Sequence, residues 1–403
     1  MIKAIWSIGM AFGIFVIVIV VIGLGLYFLM PKTPKPPDTL KNISEFEAYF
    51  DQVVASGRPP GISIAVVKDG KMVYANGFGS ADGPKNIPAT KDTVYHWWSM
   101  TKIPTAVAVM QLHERGLLSI DDPIMKYLPY FKVSYDGTEQ TDVSIRQVLN
   151  HTAGLSNAMP ELITWLHMEG EPHVNQTELV IEKLPEYNEL RFLPGEKAQY
   201  SNFGYIVLGA LIEAVSGQAY ETYLIDNIFL PLGMQNTNFV YTESMAISEA
   251  TGSQHLMDMY TPFFPIFKLN FLIRQRVGMR LWFHRVYNDQ TSPTGLIGPV
   301  TDIALFMNAY LNNGESLLQP ETISLMNAVL DPLSPTNDFS QGLGWQAHIN
   351  ADGRRTLAHS GGGPGFATIF RVYPDENLGV VVMANDSTID RESFADVLAN
   401  MAW

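Results

Sequence analysis

Residues 99–116, SMTKIPTAVAVMQLHERG, combine a helical apolar pattern with a serine and a lysine three residues apart. The pattern continues as far as Gly116 and predicts a helix over residues 99–115. Residues three apart share one face of a helix, so the Lys102 amine can reach the Ser99 hydroxyl. Backbone N–H groups and the dipole at that helix end favour a developing anion. The stretch fits a serine nucleophile with a neighbouring base, although an N-capping serine before a solvated lysine has the same spacing.

A second motif, Tyr200-Ser201-Asn202, precedes a helix predicted to begin near Tyr205. A tyrosine beside a cation loses its proton more easily, so Tyr200 is a candidate second base next to Lys102. The Asn202 amide is suited either to orient a substrate carbonyl or to hold the lysine. By itself, the triplet is also typical of a turn before a helix.

A third motif, His359-Ser360-Gly361-Gly362, follows a predicted strand. Glycines at 361 and 362 would let a substrate backbone approach the strand edge. The N–H of Gly362 is a candidate partner for that of Ser99 in an oxyanion hole. The alternative is a glycine-rich strand exit with a structural histidine.

In this order, S-x-x-K, Y-x-N and H-x-G resemble the serine β-lactamase and penicillin-binding-protein family, in particular its class C-like, D,D-peptidase and esterase branch. Other stretches are similar to landmarks of that family and follow the same order: Asp121-Asp122-Pro123, His151-Thr152-Ala153-Gly154-Leu155, 342–345 and 361–366. The similarity extends over nearly all of residues 45–400.

The resemblance implies that Ser99 forms an acyl-enzyme and that Lys102 and Tyr200 manage its proton. Which of the two is the base in acylation stays open, because the assignment is disputed within this family.

The resemblance also implies that Asn202 and His359 contact substrate, beside the Gly361 and Gly362 backbone. A lysine at position 359 would offer a permanent cation to a substrate carboxylate, whereas a histidine is mostly neutral at pH 7. Esterase, D,D-peptidase or D-amino-acid amidase activity is therefore expected ahead of β-lactamase activity. A penicillin sensor or scaffold with little turnover is the alternative.

The composition limits the partners of the chain. The net charge is −14, and residues 42–403 carry −17. Nucleic acid is not expected as a partner, because phosphate binding needs clustered Lys and Arg. The expected substrate is a small molecule or a peptide. No cysteine occurs, and the nine histidines show no metal-ligand spacing, so neither a metal nor a cofactor is expected. The G-x-S-x-G elbow of α/β-hydrolases is also missing from the sequence.

Strand patterns at both ends of the chain enclose a helical middle. Residues 61–67 and 71–78 flank the turn signal Asp69-Gly70 and predict a hairpin. Further strands are predicted at 356–359, 367–372 and 379–384, and helices at 144–149, 205–215, 301–312 and 391–401. The sequence therefore predicts an α+β, serine β-lactamase-like fold, in which an antiparallel sheet is flanked by helices and joined to a mostly helical subdomain.

The N-terminal segment, residues 4–30, contains no charged side chain. As a helix it would be about 40 Å long, more than the roughly 30 Å of a bilayer core. Residues 1–30 are therefore predicted to be a single-pass membrane anchor, 31–41 a Pro-rich linker of polyproline type, and 42–403 the catalytic domain. The lysines after the anchor favour a cytoplasmic domain, whereas the family resemblance implies an extracytoplasmic one.

Residues 259–288, here called the basic segment, contain no acidic residue. Five cations would contribute up to roughly 5 kcal/mol of attraction to an anionic bilayer at low salt. The segment is predicted to lie against the membrane, and a core-packing insert is the alternative. Its cations are Lys268, Arg274, Arg276, Arg280 and Arg285, and its aromatics are Phe263, Phe264, Phe267, Phe271, Trp282 and Phe283.

Overall fold

The computed structural model describes residues 33–403 except 38–39, 141, 158–164, 172–173, 259–260, 329–339 and 350–352. The strands in this part of the chain are β1 Gly61–Lys68, β2 Lys71–Asp82, β3 Ile87–Pro88, β4 Tyr95–His96, β5 Val133–Tyr135, β6 Thr138–Gln140, β7 Leu166–Met168, β8 Ser253–His255, β9 Ile273–Val277, β10 Arg280–Phe283, β11 Val286–Asn288, β12 Ile297–Gly298, β13 Ser340–Gln341, β14 Gln346–Ile349, β15 Arg355–Gly363, β16 Phe366–Tyr373 and β17 Leu378–Ala384.

The α-helices in the same part of the chain are α1 Ile43–Ala55, α2 Lys102–Glu114, α3 Ile145–Leu149, α4 Gln176–Tyr187, α5 Asn202–Ser216, α6 Tyr220–Leu224, α7 Leu230–Leu232, α8 Glu243–Ile247, α9 Thr291–Thr294, α10 Val300–Leu311, α11 Pro320–Asn327 and α12 Arg391–Ala399. A π-helical turn, Ile225–Phe229, joins α6 to α7.

The main sheet has eight strands in the order β13-β14-β15-β16-β17-β1-β2-β3. Neighbouring strands are antiparallel, and β1 from the N-terminal half pairs with β17 from the C-terminal end. The predicted hairpin is confirmed, with its turn at Asp69 and Gly70, both of which have positive φ. The prediction of one antiparallel sheet completed by distant segments, in an α+β fold, is confirmed.

The two faces of the sheet bury different helices, because strand side chains alternate. Ile62, Ile64 and Val66 of β1 pack with α1 and α12, whereas Ala65 and Val67 join the larger core with α2, α5 and α10. Leu357 of β15 belongs to the larger core. By the same alternation, every second residue after Leu357 faces the helical subdomain.

Two predicted helix starts need correction. The helix expected from Ser99 begins at Lys102, because a tighter 3-10 turn, Trp98–Thr101, precedes it. The helix expected from Tyr205 begins at Asn202, since the Ser201 side chain accepts a hydrogen bond from the Gly204 N–H at 2.9 Å and caps the helix there.

The predicted anchor lies outside the described residues, and only part of the linker lies within them. The Thr33 hydroxyl donates to the Arg58 carbonyl oxygen at 3.0 Å, and the Tyr49 hydroxyl donates to that of Pro34 at 3.2 Å. This part of the linker therefore contacts the catalytic domain. Within the described residues, no single helix has the length and hydrophobicity to cross a membrane. Residues 202–216 and 220–232 pass that test only as a pair bent by 77°.

Three cations of the basic segment are paired with acids of the surrounding domain. Arg274 lies 2.9 Å from Asp82, Arg280 lies 2.9 Å from Asp386, and Arg285 contacts Glu249 and Glu169. Strands β9 and β10 of the segment also join β8 in a three-stranded sheet. The segment is therefore integrated into the fold by charge pairs and strand pairing.

The remaining two cations, Lys268 and Arg276, have no acidic partner in the described part of the chain. They would supply about 2 kcal/mol of attraction to an anionic bilayer rather than 5. Among the aromatics, Phe264, Trp282 and Phe283 are buried, whereas Phe271 is 43% exposed. Membrane contact by the basic segment stays a prediction, and fewer cations are available to attract the segment to an anionic bilayer.

Candidate active site

Ser99 lies in the 3-10 turn Trp98–Thr101 that leads into α2. The residue before it, Trp98, has φ of 50°, a left-handed conformation that is unusual for a bulky side chain. The Thr101 hydroxyl donates to the Trp98 carbonyl oxygen at 2.7 Å, and the Trp97 and Trp98 side chains are buried. Packing therefore holds a strained turn that leaves Ser99 partly exposed, a combination that is frequent at active sites.

The last residues of β15 pack directly on this turn. A Cβ on Gly361 would lie 2.0 Å from the Trp97 carbonyl oxygen, and one on Gly363 would lie 2.4 Å from the Trp98 ring. No side chain fits at either position, so the glycines allow strand and turn to meet. β14 pairs with β15 only as far as Ala358, and no other described strand pairs with that edge beyond it. Within the described part of the chain, no strand therefore covers the edge beside Ser99.

Lys102 is fully buried beneath Ser99. Its Nζ lies 3.3 Å from the Ser99 Oγ, 2.8 Å from the Asn202 Oδ1 and 3.1 Å from the Pro293 carbonyl oxygen. Burial lowers the pKa of Lys102 well below its ordinary value. A neutral amine has two N–H groups, which suit the Asn202 and Pro293 oxygens. Its lone pair is then available to the Ser99 hydroxyl.

Asn202 is buried and holds the lysine. Its Nδ2 donates to the Asn157 Oδ1 at 2.8 Å, which fixes the amide so that its oxygen faces Lys102. Of the two roles considered for Asn202, the structure supports the contact with the lysine. Asn157 is therefore part of the site, although the sequence analysis did not select it.

The Tyr200 ring lies beside the lysine, with the Lys102 Nζ 4.9 Å from the ring centroid. Its hydroxyl is buried and makes no hydrogen bond with the described residues. Burial raises the pKa of Tyr200, and the nearby Ser99 hydroxyl only partly opposes this effect. The expectation of an easily deprotonated tyrosine is wrong for this geometry, since burial shifts the pKa of Tyr200 upward. Tyr200 can donate a proton or a hydrogen bond toward Ser99.

His359 is buried, with its ring centroid 6.0 Å from that of Tyr200. Burial lowers the pKa of His359 to about 3, and the charge of Arg391 adds to this effect. Its Nδ1 lies 2.9 Å from the Ser360 carbonyl oxygen, so the neutral ring carries its proton there. The Nε2 is left as an acceptor with no partner among the described residues. His359 is therefore a neutral hydrogen-bond acceptor in this site and carries no charge.

His151 positions the segment that carries Tyr200. Its Nδ1 accepts the Ser201 N–H at 3.1 Å, and its carbonyl oxygen accepts the Gln199 N–H at 2.9 Å. Its ring also lies against Tyr200, with centroids 4.7 Å apart. Burial lowers the pKa of His151, which keeps the ring neutral and Nδ1 able to accept. The residues on both sides of Tyr200 are thus held by one histidine.

The site thus brings together residues from three distant parts of the chain: Ser99, Lys102, Tyr200, Asn202 and His359. The sequence profile of the Beta-lactamase family matches residues 46–399, a range that includes all of them. This chain belongs to the beta-lactamase family of serine hydrolases.

The chain is similar to three known proteins, the last of them in fold alone. Protein flp of Staphylococcus aureus (strain MW2) is 28% identical over 344 residues, which cover 85% of this chain and 62% of flp. The chain thus spans about three fifths of the length of that curated relative. An octameric penicillin-binding protein homologue from Pyrococcus abyssi has a TM-score of 0.71 and 26% identity, covering 89% of this chain and 77% of its own. EstCE1, a hydrolase with promiscuous acyltransferase activity, has a TM-score of 0.71 and 20% identity, covering 89% and 98%.

Three features of the site were not predicted from the sequence. The role of His151 could have been inferred from its stretch, which is similar to a landmark of the family. Asn157 had no signal, because its role depends on contact with a residue 45 positions away. The Pro293 carbonyl also had none, since a backbone oxygen has no sequence signature.

The positioning role of His151 is tested by two substitutions. His151→Phe keeps an aromatic ring but removes the acceptor of the Ser201 N–H, so Tyr200 should shift. The labelling rate of Ser99 with a fluorophosphonate should fall on the order of 10–100-fold, the usual effect of a small misplacement of a catalytic group. His151→Asn should recover part of the rate, because asparagine supplies an acceptor and tolerates the φ of 61° at this position.

His113→Phe serves as the matched control, since His113 contacts the Leu118 carbonyl oxygen near the end of α2. Its labelling rate should stay near that of the wild type. If His151→Phe lowers only the melting temperature and leaves the labelling rate unchanged, His151 has no positioning role.

Proposed function

We propose that this chain is a membrane-anchored hydrolase that cleaves an ester or amide through an acyl-enzyme on Ser99. The observation that carries the proposal is the environment of Lys102. Its buried amine faces two carbonyl-type acceptors and the Ser99 hydroxyl, all within 3.3 Å. A neutral amine so placed is a general base for a serine nucleophile.

In the proposed reaction, the Ser99 proton passes to the Lys102 amine while the Ser99 oxygen bonds to the substrate carbonyl carbon. The bond to the leaving group then breaks, and that group takes the proton from Lys102, either directly or through Tyr200, which passes on its own proton and is reprotonated by Lys102. Water later cleaves the acyl–oxygen bond and returns a proton to Ser99. The raised pKa of Tyr200 suits a proton donor better than a base.

The negative charge that develops on the carbonyl oxygen needs hydrogen-bond donors. We assign this role to the N–H groups of Ser99 and Gly362, which belong to the turn and the strand that pack together. The open edge of β15 would pair with the substrate backbone beside Gly361. The neutral His359 would accept a hydrogen bond from the substrate or from Tyr200.

The substrate preference that we propose follows from the lack of charge on His359. His359 is not a cation at the place where a lysine would meet a substrate carboxylate. We therefore rank esterase, D,D-peptidase or D-amino-acid amidase activity above β-lactamase activity. The alternative is a penicillin-sensor-like or scaffold protein with little turnover.

Replacing the nucleophile tests the reaction itself. A fluorophosphonate should label the wild type at Ser99, and Ser99→Ala should be neither labelled nor active, because no acyl-enzyme can form. Lys102→Ala and Tyr200→Phe should each lower the rate by about 10²–10⁴-fold, the usual contribution of an acid or base. Lys126→Ala, which removes an exposed lysine paired with Asp122, is the matched control. Turnover by Ser99→Ala at the wild-type level would refute the assignment.

A substrate panel tests the preference. It contains short-chain aryl esters, D-amino-acid amides, D-Ala-D-Ala peptides and a chromogenic cephalosporin. The cephalosporin should have a lower kcat/KM than the best ester or peptide, because a neutral His359 gives its carboxylate no charge. A cephalosporin ranked first would contradict the order. One labelling event per chain without product release would favour the sensor.

The anchor is tested in the full-length chain. With residues 4–30 in a bilayer, the protein should stay in the membrane fraction after alkaline carbonate extraction. Val16→Arg with Val20→Arg should release it, because each charge at the bilayer centre costs about 2.5–3.5 kcal/mol. Val16→Leu with Val20→Leu should not. Release of the wild type itself would rule out the anchor.

Intact cells that express the full-length chain report the orientation, since the chain has no cysteine of its own. A cysteine at the exposed position Lys91 should react with an impermeant maleimide added outside the cells if the domain is extracytoplasmic. This is the orientation we propose from the family. Reaction only after lysis would show the opposite one, which the flanking lysines favour.

A further inference from the structure

The linker and the basic segment meet at the loop that precedes β1. The Arg58 carbonyl oxygen accepts the Thr33 hydroxyl at 3.0 Å, and the Gly57 carbonyl oxygen accepts the Arg280 Nη2 at 2.6 Å. Consecutive Cα atoms are about 3.8 Å apart, so the two contacts are immediate neighbours. The Arg58 guanidinium also lies 3.5 Å from Asp258, which directly precedes the basic segment. The start of the described linker and the basic segment therefore lie at the same end of the main sheet.

This attachment limits the distance between the domain and the predicted anchor. The anchor is predicted to end at Met30, and Thr33 already contacts the domain. The three residue steps between them span at most about 11 Å. A free polyproline linker over residues 31–41 would reach about 34 Å. The attached linker therefore keeps the loop before β1 close to the bilayer surface from which the anchor emerges.

The rest of the described linker follows the side of the domain formed by α1 and α12. The Tyr49 hydroxyl of α1 donates to the Pro34 carbonyl oxygen at 3.2 Å. Pro36 and Pro37 border a cavity beside α12, and Leu40 packs against the core that α1 and α12 share. The linker is thus attached at several points between residues 33 and 40. This attachment favours one orientation of the domain above the membrane.

The part of the basic segment nearest to this attachment is an exposed hairpin tip, residues 275–279. Strands β9 and β10 are joined at Gly278, whose φ of 58° suits a glycine in a tight turn. On either side of it, Val277 is 52% exposed and Met279 is 46% exposed. Met279 directly precedes Arg280, which donates to the loop before β1. The hairpin tip therefore lies beside the point where the linker reaches the domain.

The hairpin tip combines these apolar side chains with a cation. The Arg276 Nε donates to the Gly278 carbonyl oxygen at 2.9 Å, which holds the guanidinium beside the turn. Lys35 of the linker is also exposed, two residues after the contact of Thr33. Such a surface suits an anionic bilayer, since apolar side chains enter the interface and cations attract the headgroups. Lys268 lies beyond the other end of β9 and does not belong to this surface.

We propose that the hairpin tip docks on the anionic headgroups of the bilayer that holds residues 4–30. The inference rests on the proposed function through the membrane anchor, and it adds a second point of attachment for the domain. The anchor makes the contact intramolecular, so the tip is always at a high effective concentration beside the lipid. A small surface is then sufficient to keep the domain docked.

Docking also determines where the proposed reaction centre lies. Strand β10 of the hairpin pairs with β8, and the Ser253 N–H of β8 donates to the Gly365 carbonyl oxygen at 3.2 Å. Gly365 follows β15, whose last residues pack on the turn that contains Ser99. The small sheet with the hairpin tip is thus joined to the end of β15 that carries the site. In the docked domain, this end of the main sheet is the one nearest to the membrane.

A dye attached to the hairpin tip tests the contact, since the chain has no cysteine of its own. Met279→Cys in the full-length protein carries an environment-sensitive fluorophore in vesicles of phosphatidylcholine and phosphatidylglycerol. Nitroxide-labelled lipids should quench this dye several-fold more strongly than the same dye on Met72→Cys. Met72 is the matched control, because it is 48% exposed and lies beside the hairpin turn at the other end of β1.

Charge and tether length give two further measurements. Arg276→Gln should lower the ratio of docked to undocked domain roughly 5-fold at low salt, because one cation is lost. Lys71→Gln, beside Met72, should leave the ratio unchanged. A flexible glycine–serine segment inserted between Met30 and Pro31 should also reduce the quenching at position 279, since a longer tether lowers the effective concentration of the tip. Vesicles of phosphatidylcholine alone should give weaker quenching.

Equal quenching at positions 279 and 72, in protein that alkaline carbonate leaves in the membrane, would overturn the docking and retain the anchor. A dye at position 279 that is shielded only at high protein density, without quenching by lipid, would reveal contact with a second copy of the chain and also overturn it. Release of the wild type by carbonate would refute anchor and docking together. Absence of fluorophosphonate labelling at Ser99 would refute the hydrolase, whereas the quenching would still decide the docking.

Discussion

The burial of one amine governs the chemistry of this site. Lys102 lies at the start of α2, where the helix dipole and the lack of solvent both disfavour a positive charge. Among the described residues, no acid lies within hydrogen-bond distance of its amine. The amine contacts the amide oxygen of Asn202 and the carbonyl oxygen of Pro293. These partners suit an uncharged amine, and an uncharged amine is a base.

Burial has a similar effect on the neighbours of Lys102. It raises the pKa of Tyr200 and so keeps the phenol proton in place. His359 is buried as well and stays neutral. Polar groups that work through hydrogen bonds and proton transfer therefore line the proposed reaction centre.

Close packing between the sheet and the nucleophile turn makes this arrangement possible. Gly361 and Gly363 allow β15 to touch the backbone and ring of the two tryptophans before Ser99. The basic segment also packs against the main sheet, because Arg274 and Arg280 pair with acids near the ends of β2 and β17. These ion pairs attach the basic segment to the domain. They involve cations that the sequence alone had predicted to contact a membrane. Both features bring together segments that are far apart in the chain.

The sequence by itself predicted the main elements and the candidate reacting groups. Apolar periodicity located the hairpin, the C-terminal strands and most helices, and the order of three motifs selected Ser99, Lys102, Tyr200 and His359. The tertiary structure alone decided the directions of the pKa shifts, the 3-10 turn at Ser99, the partners Asn157 and Pro293, and the pairing of the basic segment. Periodicity and motif order are local properties that the chain carries in its residue types. A pKa or an ion pair depends on burial and on distances between remote segments, and these exist only once the chain has folded.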